Sequence, residues 1–214
     1  MSEAEPARRR RAPAMSLDER RAAIVAATLP LLPEHGANVT TKQIATAAGI
    51  AEGTVFRAFK DKQELLTTCL EVAMRADAEV DQITRIPTST PLTERLAEAT
   101  DAVSGYLDRL WSLMQTMHRS GFDPRREHEA EGSRKGPREQ MQRVSTAIAE
   151  LLAPEADSLR LTPDLTARLL LGLVFTNRMQ GKGFGDEADD AAEPAQLVEV
   201  FLHGALNSTG GRKK

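Results

Sequence analysis

The chain has 214 residues, a formal net charge of -3, 41% hydrophobic and 28% charged residues, and a single cysteine. That length can bury one or two cores, and Ala, Leu, Glu and Arg outweigh β-branched and aromatic residues, which favours an all-α protein. Lone Cys69 excludes an intrachain disulfide, no apolar run reaches the roughly 18 residues of a membrane span, and no signal-peptide core follows the N-terminal arginines, so the cytoplasm is the expected location.

Residues 1–15, rich in Ala, Pro and Arg, lack an apolar period and read as a disordered basic arm. Such an arm is either a solvated tail or a strand of charge that lies along phosphates or enters a minor groove. A helix is expected from Ser16, where Ser16 and Glu19 form a capping box and Ile24, Ala27 and Leu31 form an apolar stripe. Pro30 and Pro33 should end or kink it before His35 and Gly36. Up to Lys62 the chain holds ten Lys and Arg against seven Asp and Glu, while the remainder holds eighteen against twenty-four. The positive charge is therefore gathered at the N-terminal end.

The stretch from Thr40 to Leu66, TTKQIATAAGIAEGTVFRAFKDKQELL, reads as two short helices, a tight turn and the start of a third helix. Thr40 and Gln43 cap the first, Gly49 breaks it, and Asp61 with Glu64 repeats the capping pattern. In the second helix Val55 and Phe59 should point inward, which turns Gly53 and Arg57 outward with Thr54 and Phe56 on the flanks. A helix in a DNA major groove needs such a face. Gly53 permits close approach, Thr54 can reach a phosphate or base, and Arg57 can read guanine with two hydrogen bonds. The same eight residues also suit a plain surface helix.

A long helix is expected to run from Lys62 to about Thr84, with Leu65, Leu66, Cys69, Leu70, Ala73, Val80 and Ile83 on its apolar side. Pro87 to Pro91 mark a linker, and Leu92 to His118 form an amphipathic helix with a candidate break at Gly105. Residues 121–137 read as a mobile polar loop, after which helix resumes with Met141, Val144, Ile148 and Leu151. Leu165–Gln180 and Pro194–Asn207 are apolar on more than one side. They are expected to pair with their copies as a four-helix dimer interface that includes Leu170, Val174, Leu197 and Phe201, the alternative being burial within one chain.

No HExxH, GxSxG, Cys pair or P-loop occurs, and the histidines are scattered, so neither a catalytic site, a metal site nor a cofactor is expected. Tyr106, Trp111, Met114 and Met117 on one helix, with Phe175, Asn177 and Met179 on a later one, could line an aromatic and Met-rich cavity for a flat, apolar or cationic molecule; ordinary core is the other reading.

Taken in order, these pieces resemble the TetR family of bacterial transcriptional regulators. The match rests on Thr41, Ile44-Ala45, Ala48-Gly49, Gly53-Thr54, Phe56, Phe59 and Lys62 with Leu65-Leu66, and covers about fifty residues. It departs from the family at Phe56, usually Tyr, at Ala58, often His, and at Pro30 in the first helix. The resemblance implies an N-terminal three-helix DNA-binding domain (residues 16–62) and a larger helical ligand-binding and dimerisation domain (63–208), with a disordered tail at 209–214. It implies that Thr41, Thr54, Phe56 and Lys62 meet the DNA backbone while Lys42, Glu52, Gly53 and Arg57 lie at or near base edges. Thr41 and Lys62 also fall at expected helix N-termini, where free N–H groups suit a phosphate. The expected partners are an operator DNA duplex, a small effector and a second copy of the chain, with no membrane. A ligand-independent regulator or activator is the alternative, and a helical enzyme without a recognisable motif the remote one.

Overall fold

The computed structural model describes residues 15–122, 135–183 and 191–204. The basic arm up to residue 14, residues 123–134 of the polar loop, residues 186–190 of the acidic loop and the tail at 209–214 lie outside them. Among the described residues the regular structure is entirely helical.

Helix α1 (Leu17–Thr28) starts at the Ser16–Glu19 capping box, with both reciprocal bonds formed. Pro30 and Pro33 do what their missing N–H groups dictate: α1 gives way to a 3-10 turn at Leu29–Leu31 and a single helical turn, α2 (Leu32–His35), each with proline in its first turn, where no N–H is needed. Helices α3 (Thr41–Ala47) and α4 (Glu52–Ala58) follow, then α5 (Lys62–Ala73) and α6 (Asp77–Thr84). The larger part comprises α7 (Leu92–Arg119), α8 (Lys135–Leu152), α9 (Pro163–Gly183) and α10 (Pro194–His203). The expected break at Gly105 is absent, and α7 is continuous. Its 28 residues reach about 42 Å at 1.5 Å per residue.

The long helix expected from Lys62 to Thr84 is two helices. The chain leaves helical geometry at Met74–Ala76, without glycine or proline to announce it. The backbone groups released there find partners on other elements: the Tyr106 hydroxyl donates to the Met74 carbonyl at 2.6 Å, and the Ala76 N–H donates to Gln140 Oε1 at 3.2 Å. Tertiary hydrogen bonds thus offset the loss of helix propagation. The expected loop is also shorter at both ends, since Phe122 is buried and Lys135–Pro137 already belong to α8.

Two apolar clusters organise the chain. One is built from α1 to α5, with Ile24, Leu32, Ile44, Val55, Phe59 and Leu66 among its fully enclosed members. The other joins α6, most of α7, α8, α9 and α10 around Leu96, Val103, Ile148, Leu152, Leu170 and Val198. Helix α7 serves both, because its last turns place Leu113 and Met117, followed by Phe122, in the first cluster. The two units therefore share one rod. Contact is closest at Gly36, whose φ of +53° favours glycine and where a Cβ would run into Ser120 Oγ and lie 2.8 Å from the Thr116 carbonyl oxygen. Ser120 Oγ accepts from the Ala37 N–H at 2.7 Å and donates to the Thr116 and Met117 carbonyls.

Candidate nucleic-acid interface

Helices α3 and α4 form a helix-turn-helix. Thr40 caps α3 by accepting from the Gln43 N–H at 3.2 Å, while Gln43 Oε1 accepts from the Thr40 N–H at 2.8 Å. The turn passes through Gly49, at φ +65°, a left-handed conformation that residues with a Cβ rarely adopt. The Thr41 hydroxyl donates to Glu52 Oε1, which ties the first residue of α3 to the first residue of α4.

Helix α4 divides as the wheel requires. Val55 and Ala58 are buried in the first cluster, and Phe59, one residue past the helix in extended backbone, is 1% exposed. Gly53, Arg57 and Phe56 face outward, the last with 53% of its surface exposed, and Thr54 is half-buried. Among the described residues Arg57 and Lys42 have no side-chain partner, so their charges stay available. Gly53 has a helical φ, and a Cβ built there meets nothing within 4 Å. Gly53 is the second residue of α4, where glycine costs less than the roughly 0.5–1 kcal/mol of a helix interior, and the fold itself supplies no steric reason for it.

Arg21 of α1 holds this helix from behind. Its guanidinium carbon lies 4.2 Å from the centroid of the Phe59 ring, Nη1 donates to the Ala58 carbonyl at 2.6 Å, and Nη2 donates to Glu64 Oε1 at 2.7 Å. The other Glu64 oxygen accepts from the Lys60 N–H at 2.6 Å, and these contacts, the backbone one first, hold the carboxyl below its ordinary pKa. Asp61 caps α5 by accepting from the Glu64 N–H at 2.8 Å. The Glu64 side chain does not complete a capping box. Arg21 is a residue that sequence reading passed over: its only signal was a cation on the first turns of an amphipathic helix.

Lys62 does not point its charge to solvent alone. Its Nζ donates to the Ala37 carbonyl at 2.7 Å and the Val39 carbonyl at 3.2 Å, consuming two of its three N–H donors on the turn that precedes α3. Of the expected DNA contacts, Lys42, Gly53, Phe56 and Arg57 are thus exposed on the bundle, Thr41 and Glu52 bond each other, and Lys62 braces the turn.

The residues expected to line an aromatic and Met-rich cavity are spread over both clusters among the described residues. Met114 and Met117 pack with the first cluster, Tyr106 with the second, Trp111 is half-buried, and Phe175 is 49% exposed. Asn177 uses both ends of its amide on the Ala192 backbone, accepting from the N–H and donating to the carbonyl at 3.0 Å each, so it pins the approach to α10 onto α9. Met179 is half-buried on α9. A cleft of about 650 Å³ lies instead where the two units meet, between Leu29 and Pro33 on one side and Tyr106, Leu110 and Leu113 of α7 on the other.

Of the four residues expected at a dimer interface, three are enclosed by the chain itself. Leu170, Val174 and Leu197 are buried in the chain's own second cluster, because α9 packs against α8 and α10 packs against α7. Phe201 is half-buried at its edge. The large apolar side chains left exposed on these two helices are Leu169, Phe175 and Val200.

Residues 24–69 match the model of bacterial regulatory proteins of the tetR family. Comparison with curated protein sequences gives no significant match. Among solved structures, the fold is similar to a tetR-family transcriptional regulator from Streptomyces coelicolor, with TM-score 0.55 and 23% identity over 87% of this chain and 80% of that one. It is similar to a transcriptional regulator of the TetR/AcrR family from Thermobifida fusca YX-ER1, with TM-score 0.59 and 19% identity over 88% and 100% of the two chains. It also resembles the transcriptional regulator FadR from Bacillus subtilis, solved in complex with stearoyl-CoA, with TM-score 0.51 and 18% identity over 86% and 99%.

Proposed function

Since this chain is a TetR-family transcriptional regulator, identified by the DNA-binding domain at residues 24–69, we propose that it works as a repressor that binds a near-palindromic operator as a homodimer and leaves it when a small apolar effector binds. The observation that carries the DNA half of this reading is the outward face of α4, where Gly53, Phe56 and Arg57 are presented to solvent while Val55 and Ala58 anchor the helix. Arg57 and Lys42 lie toward base edges, with Phe56 and Thr54 against the sugar-phosphate backbone. Two copies of α4 would enter successive major grooves about 34 to 36 Å apart.

The dimer would form on the faces of α9 and α10 that carry Leu169, Phe175 and Val200, since α9 and α10 spend their other faces on the chain's own core. An effector preferring one relative placement of bundle and body would shift the spacing of the α4 helices, by no more than its preference between the two placements. The stearoyl-CoA complex of FadR supports an apolar effector, as a property of a protein with a similar fold. Selection of binding sites from random duplex DNA tests the reading. A near-palindrome with half-sites one helical turn apart is expected, and failure to enrich any sequence would remove the DNA-binding role.

A further inference from the structure

We propose that the cleft between the DNA-binding bundle and the helical body binds a small organic acid with an apolar body, its carboxylate held by Arg75. Of the residues expected to line an aromatic and Met-rich cavity within the body, this cleft shares only Tyr106. Its walls come from both units: Leu29 and Pro33 from the bundle, Leu110 and Leu113 from α7, and Ala73 and Ala78 from either side of the α5–α6 break. A volume of about 650 Å³ lies within the range of small-molecule sites, and such sites combine apolar walls with a few placed polar groups.

The sign of the ligand follows from the charges that line the cleft. Glu79, whose side chain is almost wholly buried, is neutralised by Arg109 in an ion pair. Asp108 has Arg178 at 3.6 Å, reaching it from α9. That leaves Arg75, exposed in the break between α5 and α6, whose side chain has no partner among the described residues. A guanidinium is planar and presents paired donors that match a carboxylate with two parallel hydrogen bonds. An apolar cation would meet the surplus positive charge and find the buried carboxylate already taken.

The position gives the ligand mechanical leverage. Tyr106 lines the cleft and donates its hydroxyl to the carbonyl of Met74, the residue before Arg75, so a molecule seated here rests on the joint itself. It touches bundle and body together and must favour the arrangement in which both walls meet it. That regulatory consequence rests on the DNA-binding reading above; the binding itself does not.

Calorimetric titration of the whole chain with decanoate, and with decyltrimethylammonium as its cationic counterpart, both below their micellar concentrations, tests the site. Saturable single-site binding of decanoate is expected, at least tenfold tighter than that of the cation. Arg75→Gln should weaken decanoate binding tenfold or more, and Ala78→Trp, which fills the cleft, should do the same. Both positions are exposed, so circular dichroism should be unchanged. Absence of saturable binding, equal binding of the cation, or undiminished binding by either variant would overturn the proposal. The titration contains no DNA and the site selection contains no decanoate, so either reading can fail alone.

Discussion

Arg21 and Phe59 are stacked, the guanidinium carbon 4.2 Å from the ring centroid, and the same guanidinium bonds the Ala58 carbonyl and the Glu64 carboxylate. One side chain of α1 thus fixes the end of α4 and the start of α5. Arg21→Ala should destabilise the fold by about 1–2 kcal/mol, the sum of a partly exposed cation–π contact and charged hydrogen bonds discounted for solvent. Arg21→Lys should restore less than half, because an ammonium cannot stack flat and bond two acceptors in fixed directions. Urea unfolding reads both; a cost below about 0.5 kcal/mol would show that the clamp is idle.

Acid should loosen the same joint. The Lys60 N–H, and then Arg21, hold the Glu64 carboxyl below its ordinary value of 4.5 in the folded chain. A depressed carboxyl contributes stability that is complete above the unfolded pKa and lost as pH falls through the lower folded one. Wild type should therefore exceed Glu64→Gln in stability by a constant margin above about pH 5, and the margin should shrink on acidification below it. A margin unchanged between neutral pH and pH 3 would contradict the assignment.

Gly53→Ala should separate stability from function. The added Cβ meets nothing within 4 Å and the position is in the first turn of α4, so stability should hold or rise by less than about 0.5 kcal/mol. Affinity for the selected operator should nonetheless fall, since the methyl group stands where the duplex must approach. Arg57→Ala should leave stability unchanged, cost about 1–3 kcal/mol in binding and relax preference at one base position. Retention of full affinity by Gly53→Ala would place DNA on another face.

Lys62 and Lys42 should behave oppositely. Lys62→Met removes the bonds to the Ala37 and Val39 carbonyls and should destabilise the bundle by about 1–2 kcal/mol. Its DNA binding should keep the salt dependence of wild type. Lys42→Ala should instead preserve stability and lower the slope of log K against log salt by about one. A reduced slope in Lys62→Met would mean that its third N–H reaches a phosphate.

For self-association the exposed and enclosed apolar side chains give contrasting expectations. Leu169→Asp with Val200→Asp should yield a folded monomer by sedimentation velocity, because both side chains leave the core untouched. Leu197→Asp should unfold the chain, since it would bury a carboxylate in the second cluster. Dimers that survive the double substitution would move the interface elsewhere.

Much of the N-terminal unit was legible because its signals are local. Ser16 with Glu19, Thr40 with Gln43, and Gly49 each act within a few residues, so the helix starts and the turn can be read from spacing alone. The α5–α6 break was not legible, since Met74, Arg75 and Ala76 are all good helix formers and the deciding partners, Tyr106 and Gln140, lie 32 and 64 residues away. The two bonds of Lys62 were hidden for the same reason: a charge beside a helix start looks wholly free until the chain returns two carbonyls to it. Arg95 carries the point further. It sits among the apolar positions of α7, yet it is wholly buried, bonded to the Thr88 carbonyl and to Glu155. Periodicity separates faces, and it does not say which neighbour will cover them.

The tip of α7 has a consequence for how the molecule is made. Leu113, Met117 and Phe122 complete the first cluster, and the ribosome adds them some forty residues or more after the last residue of α5. The DNA-binding bundle therefore emerges with one side of its core uncovered and stays so until α7 is synthesised. A nascent or truncated chain ending at Ala73 would carry every residue of α4 and still lack Leu113, Met117 and Phe122, which close the bundle's core on the side of α2.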